Sequence, residues 1–188
     1  MKRFYENVDV SEVVDAGWQV TLDGRGLRTV KGTPQIVPTR KLAEALAREW
    51  AEQSEDIDTS RFVHRDQTDF AIDMVANDPE EAINQILKYA ETDTLCYRAN
   101  PEQPLFERQQ AVWEPLIKRV EQTHSIKFTR VSGIVHRPQP PETLATLSDF
   151  LRGRDHFTLA GMQTMASLAA SLCIPSLCST VKSNSRTK

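Results

Sequence analysis

With 188 residues, 39% of them apolar and 26% charged, the chain has the composition of a folded globular protein and not of a disordered one. Its 23 Lys and Arg against 26 Asp and Glu leave a net charge of -3, which excludes the global basic footprint of a nucleic-acid binder and leaves only a local patch. No run approaches the roughly 20 apolar residues that span a bilayer, so no membrane insertion is expected.

Strands are expected first, at 8–10, 18–22, 27–30 and 35–38, with Asp23-Gly24-Arg25-Gly26 supplying a dipeptide suited to a tight hairpin. Thr39 then reads as an N-cap, and Leu42, Leu46 and Trp50 form one apolar helical face that covers the sheet. A turn at Ile57-Asp58 and a short segment at 61–65 precede helical character around Phe70, Ala71, Met74 and Val75, and the boundary falls near Asn77-Asp78-Pro79.

From there the pattern is helical throughout. Asp78 caps a helix that has Pro79 at its first position and Ile83, Ile86, Leu87 and Ala90 as its stripe. Leu105, Val112, Trp113, Leu116, Ile117 and Val120 define a longer stripe that Pro115 is expected to kink or divide. Leu144, Leu147 and Leu151 follow, then Phe157, Met162, Met165, Leu168 and Leu172. The fold class is therefore α+β: a small N-terminal antiparallel sheet with a covering helix at 1–77, an all-α orthogonal bundle at 78–175, and a frayed polar tail at 176–188.

Catalytic motifs are missing: there is no Gly-rich phosphate loop, no H-E-x-x-H and no G-x-S-x-G, and 7 glycines make nucleotide cradles hard to build. No cofactor is expected. His64, His124, His136 and His156 lack ligand spacing, and Cys96, Cys173 and Cys178 read as free reduced thiols. Asp66, Asp69 and Asp73 share neighbouring helical turns; a solvated charged face or helix caps are expected there, and an acid–base carboxylate pair is the alternative. Within 92–98, Asp93 and Arg98 suggest an ion pair capping adjacent helices. Trp18, Trp50 and Trp113 are expected to pack in cores, and Met162 and Met165 to be core or part of an adaptable binding surface.

An ordered set of phrases carries more than any single motif. They are K-R-F-Y at 2–5, W-Q-V-T-L-D-G-R at 18–25, E-W-A-E-Q at 49–53, Ile57-Asp58, T-D-T-L-C-Y-R at 92–98 and Q-Q-A-V-W-E-P at 109–115. In this order they resemble the assembly chaperones that act on the alpha subunit of the ATP synthase catalytic head in mitochondria and related bacteria. The resemblance implies a monomeric, non-enzymatic, two-part protein that holds the free alpha subunit until the beta subunit displaces it. It also directs attention to Trp50, Asp93, Tyr97, Arg98 and Trp113 as partner-contact candidates, with a role in holding the two parts together as the equal alternative. The phrase beginning at Lys2 implies a bacterial cytoplasm, the mitochondrial matrix being the family's other setting.

The chain departs from the family after Ser171-Leu172-Cys173-Ile174-Pro175, where further helices would follow. Pro175 is expected to interrupt the last helix, leaving the helical domain incomplete and an apolar groove open beside Met162, Met165 and Leu168. The competing functions are a small hydrolase or lyase using Asp69, Asp73 or Asp93 with a histidine, and a general peptide-binding adaptor.

Overall fold

The first unit is built on a hairpin whose turn is dictated by two residues. Leu22 pairs with Arg25, so Asp23 and Gly24 alone make the bend, with φ of 47° and 78°. Positive φ at both positions is what a two-residue turn between right-twisted strands requires. The Asp23 carboxylate then accepts the backbone N–H groups of Asn7 and Glu6, fastening the incoming chain to the turn. At the far end of the strand that leads into this bend, a side chain on Gly17 would meet the Val37 carbonyl at 2.4 Å, so only glycine fits.

The computed structural model describes residues 1–133 and 135–180. Their contacts form two compact units, Met1–Asn77 and a second that begins at Asp78. In the first, β1 (Val8–Val13) pairs antiparallel with β2 (Gly17–Leu22), whose other edge carries β3 (Arg25–Gly26) and β4 (Ile36–Val37). The strand expected at 27–30 is not formed. That stretch loops back on itself, with Thr29 N–H bonded to the Thr33 carbonyl, because Thr29, Val30 and Lys31 turn to meet two inward-facing carboxylates.

Helix α1 (Arg40–Ala51) begins where Thr39 Oγ1 accepts the Leu42 N–H, and it lays Ala43, Leu46 and Trp50 against β1 and β2. Trp50 meets Tyr5 edge-on at 5.6 Å and Phe62 at 4.5 Å. Helix α2 (Val63–Phe70) runs on into a π-turn, Ala71–Val75, in which Ala71, Asp73 and Val75 are buried while Met74 is exposed.

The second unit packs α3 (Pro79–Glu91) against α5 (Pro141–Arg152) and α6 (His156–Ala169), and α4 (Pro104–His124) against α7 (Cys173–Thr180). Asp78 accepts the Glu81 N–H and Pro79 opens α3, where its missing N–H has no helical partner to lose. The unit is not purely helical: β5 (Tyr97–Arg98) and β6 (Val131–Ser132) form a two-stranded parallel pair. Pro115 does not divide α4, which runs 21 residues with the proline on its exposed side. Pro175 does not end a helix either. It lies in the first turn of α7, so Ser176–Thr180 of the expected frayed tail are helical, and 181–188 lie outside the described residues. Met162 is core at 1% exposure, Met165 is half-buried and Leu168 stands 84% exposed.

Leu46 and Leu168 therefore have opposite expected costs. Thermal unfolding of Leu46→Ala should show a loss of about 2–5 kcal/mol, because it empties a fully enclosed site, whereas Leu168→Ser should stay within about 0.5 kcal/mol of the parent.

Candidate functional site

Four of the five partner-contact candidates lie in the second unit, and two of them, Arg98 and Trp113, meet. Tyr97 and Arg98 form β5, and the Arg98 guanidinium lies 5.3 Å from the ring centroid of Trp113 on α4. Trp113 and Tyr97 are half-buried, and the Tyr97 hydroxyl sits 2.8 Å from His136 Nδ1. Arg98 is only 3% exposed. Its Nε donates to Gln110 Oε1 and its Nη2 to Glu114 Oε2, both at 3.3 Å, while Nη1 has no partner. Trp50 belongs to the first unit, where it is 7% exposed and packed on aromatics.

Asp93 is fully enclosed and does not pair with Arg98, contrary to the expected Asp–Arg cap. Its Oδ1 accepts the Leu95 N–H, and its Oδ2 accepts both the Ser171 hydroxyl and the Cys173 N–H at 2.9 Å. Thr94 answers by donating its N–H and hydroxyl to the Ala170 carbonyl. The turn after α3 is thereby clamped to the turn before α7, and Asp93 closes the start of α7. Cys96 and Cys173 flank this carboxylate. Burial and the Asp93 charge push the Cys96 thiol up to about 12 and push Cys173 up as well, which keeps both protonated and unreactive near neutrality.

Sequence reasoning missed the cluster behind Arg98. Arg130 donates through Nη2 to Glu114 Oε1 at 2.9 Å and through Nη1 to Glu121 Oε1, while Glu121 also accepts the Phe128 N–H at 2.8 Å. Glu114 thus bridges Arg98 and Arg130, and Glu121 has a side chain only 4% exposed. Burial pushes the Glu121 carboxyl up, but Arg130 and the Phe128 amide more than reverse this and hold it below its ordinary range. An open groove of about 860 Å3, lined by Glu114, Lys118, Glu121 and Arg130 among others, runs beside the cluster. One signal was present: Glu114 and Glu121 are seven apart and flank Ile117 and Val120 of the core, so both need cations. Nothing local names Arg130.

In the first unit Asp69 and Asp73 form neither a solvated face nor helix caps. Asp69 accepts Gln35 Nε2 at 2.5 Å and the Val30 N–H, with Arg65 at 3.6 Å. Asp73 accepts the Thr29 hydroxyl and the Lys31 N–H. Burial pushes the Asp69 carboxyl up against these donors. The pair fastens the 27–35 loop to α2 and the π-turn that continues it, and Asp66 stays exposed. His124 stacks edge-on against Phe150. Among the described residues no group of three or more His, Cys, Asp and Glu side chains is arranged to hold a metal ion, and no helix is long and apolar enough to cross a membrane.

These features define an α+β protein of two units in which the most conspicuous charged side chains are engaged in holding loops to helices. The sequence profile of the ATP12 chaperone protein family matches residues 2–121, and the chain belongs to that family. Its fold is shared with Atp12 from Paracoccus denitrificans at 30% identity and a TM-score of 0.86, over 93% of this chain and 74% of that one. A single-substitution mutant of the Paracoccus protein gives the same values. A candidate chaperone from Agrobacterium tumefaciens is 34% identical with a TM-score of 0.86, over 93% of this chain and 65% of that one.

Two outcomes follow from the buried carboxylates. Because the folded Glu121 carboxyl is held below its ordinary 4.5, its stabilisation is complete above that value and disappears as pH falls through the folded one. Urea midpoints measured from pH 7 to pH 3 should show Glu121→Gln less stable at pH 7 and lacking that part of the acid slope. Asp93→Ala should cost about 3 kcal/mol or more in the same assay at pH 7, because the Ser171 hydroxyl and two N–H groups lose their acceptor inside the protein.

Proposed function

We propose that this chain binds the free alpha subunit of F-type ATP synthase and covers its apolar surface until the beta subunit takes its place. The observation that carries this reading is membership of the ATP12 chaperone family across residues 2–121. The physical logic is that an unassembled subunit exposes an interface-sized apolar patch, and such patches associate wrongly unless covered. Release needs only a competitor with better complementarity, so no hydrolysis by the chaperone is required.

The surface chemistry is compatible with such a role. Tyr97 and Trp113 are half-exposed on a framework stiffened by ion pairs, and Leu105 and Val112 stand 55% and 54% exposed along α4. An acid–base enzyme finds less support, because Asp69, Asp73 and Asp93 have their oxygens occupied by donors from their own unit.

Co-purification with separately expressed alpha and beta subunits tests the proposal. The expected result is a saturable complex with free alpha and none with beta or the assembled head. Equal binding to unrelated clients would favour a general adaptor, and no binding to alpha would refute the reading.

A further inference from the structure

Helix α4 carries exposed charges of both signs, Glu107 and Lys118 among them. Glu114 and Glu121 turn toward the Arg98–Arg130 cluster, whereas Arg108 and Arg119 are exposed. At 3.6 residues per turn, Arg108, Val112, Pro115 and Arg119 fall within about 60° of one another and roughly 140° from the two glutamates. Every position three or four residues from either arginine is apolar or uncharged, so no carboxylate on the helix can neutralise them. Among the described residues neither guanidinium has a partner. Two free cations thus bracket an apolar segment in which Val112 is 54% exposed and Ala111 and Pro115 are exposed.

Pro115 adds a polar feature to the stripe. It has no N–H, so the carbonyl of the exposed Ala111 four residues earlier lacks its usual helical donor. The absent donor weakens the helix without serving the core, since Ile117 and Val120 pack on the other side.

We propose that this stripe of α4 is the docking face for an acidic protein segment. The segment carries two carboxylates about 16 Å apart, small apolar side chains between them, and one hydrogen-bond donor at the centre. A second copy of this chain does not fit, because antiparallel pairing of two α4 stripes sets Arg108 against Arg119. A nucleic-acid backbone fits poorly, because it offers phosphate acceptors where the Ala111 carbonyl needs a donor. The chemistry of the occupant follows from the stripe; that the segment belongs to the free alpha subunit rests on the function proposed above.

The test uses the full chain with two probes, the free alpha subunit and a synthetic helical peptide. The peptide has two glutamates eleven positions apart separated by Ala and Ser, and a control peptide has Gln in their place. The double variant Arg108→Glu/Arg119→Glu should weaken binding at least about tenfold with an unchanged melting temperature, while Arg108→Lys/Arg119→Lys keeps most of it. Pro115→Ala should raise the melting temperature and still weaken binding, a pairing that a purely structural role would not produce. If alpha binding survives charge reversal, the docking face is wrong and the chaperone reading stands. If the unmodified chain does not bind alpha, the peptide decides: preference over the Gln control that is lost on charge reversal upholds the face, and no preference overturns it.

Discussion

A carboxylate with 4% of its side-chain surface in contact with solvent is stable only with a cation and donors around it, and Glu121 sets that condition for the second unit. Arg130 must reach it, and Phe128 must present its N–H to it. These two requirements fix the chain between α4 and α5, bring Val131 and Ser132 beside Tyr97 and Arg98, and so create the parallel pair. Glu114, one step along the same side of α4, then takes Arg98 as well as Arg130, and Arg98 lies against Trp113. Each glutamate faces two cations, Glu114 meeting Arg98 and Arg130 and Glu121 meeting Arg130 and the exposed Lys127, so burial costs less than an unpaired charge would.

The same device recurs wherever an irregular segment must be held. Asp93 joins turns far apart in the chain by taking Ser171 and Cys173, and the complete burial of Asp93, Cys96 and Cys173 keeps that clamp away from solvent. Asp69 and Asp73 fasten the 27–35 loop to α2 and its π-turn through four donors. In each case a carboxylate accepts backbone N–H groups that no strand or helix satisfies, which is the general requirement for burying irregular backbone.

What could be read from the sequence was the chemistry of near neighbours. The Asp23-Gly24 bend, the Thr39 and Asp78 caps, the Leu46–Trp50 face and the Ile83–Ile86–Ala90 stripe all depend on residues a few positions apart, and each formed as the spacing implied. The inward carboxylates were misread as surface groups because their partners lie far away in the chain. For the same reason the strand expected at 27–30 did not form and the helices of the second unit are joined by a short parallel pair: Asp69, Asp73 and Arg130 decide those segments. On α4 the apolar periodicity was real but assigned to one side too broadly. Gln109 and Glu121 occupy inward positions, Ile117 and Val120 fill the core, and Leu105 and Val112 are left outside. Of the candidate residues, Arg98 and Trp113 do meet, Tyr97 turns to His136 instead, and Asp93 and Trp50 are enclosed in separate packing arrangements.

The resulting picture is a framework whose few buried acidic groups fix loops, with two unpaired arginines and a partly apolar stripe of α4 turned outward. Hydrogen exchange of the chain alone and saturated with free alpha subunit tests this division of labour most directly. The account predicts that protection rises along the 108–119 portion of α4. A complex that forms while α4 exchanges at its unbound rate would contradict it.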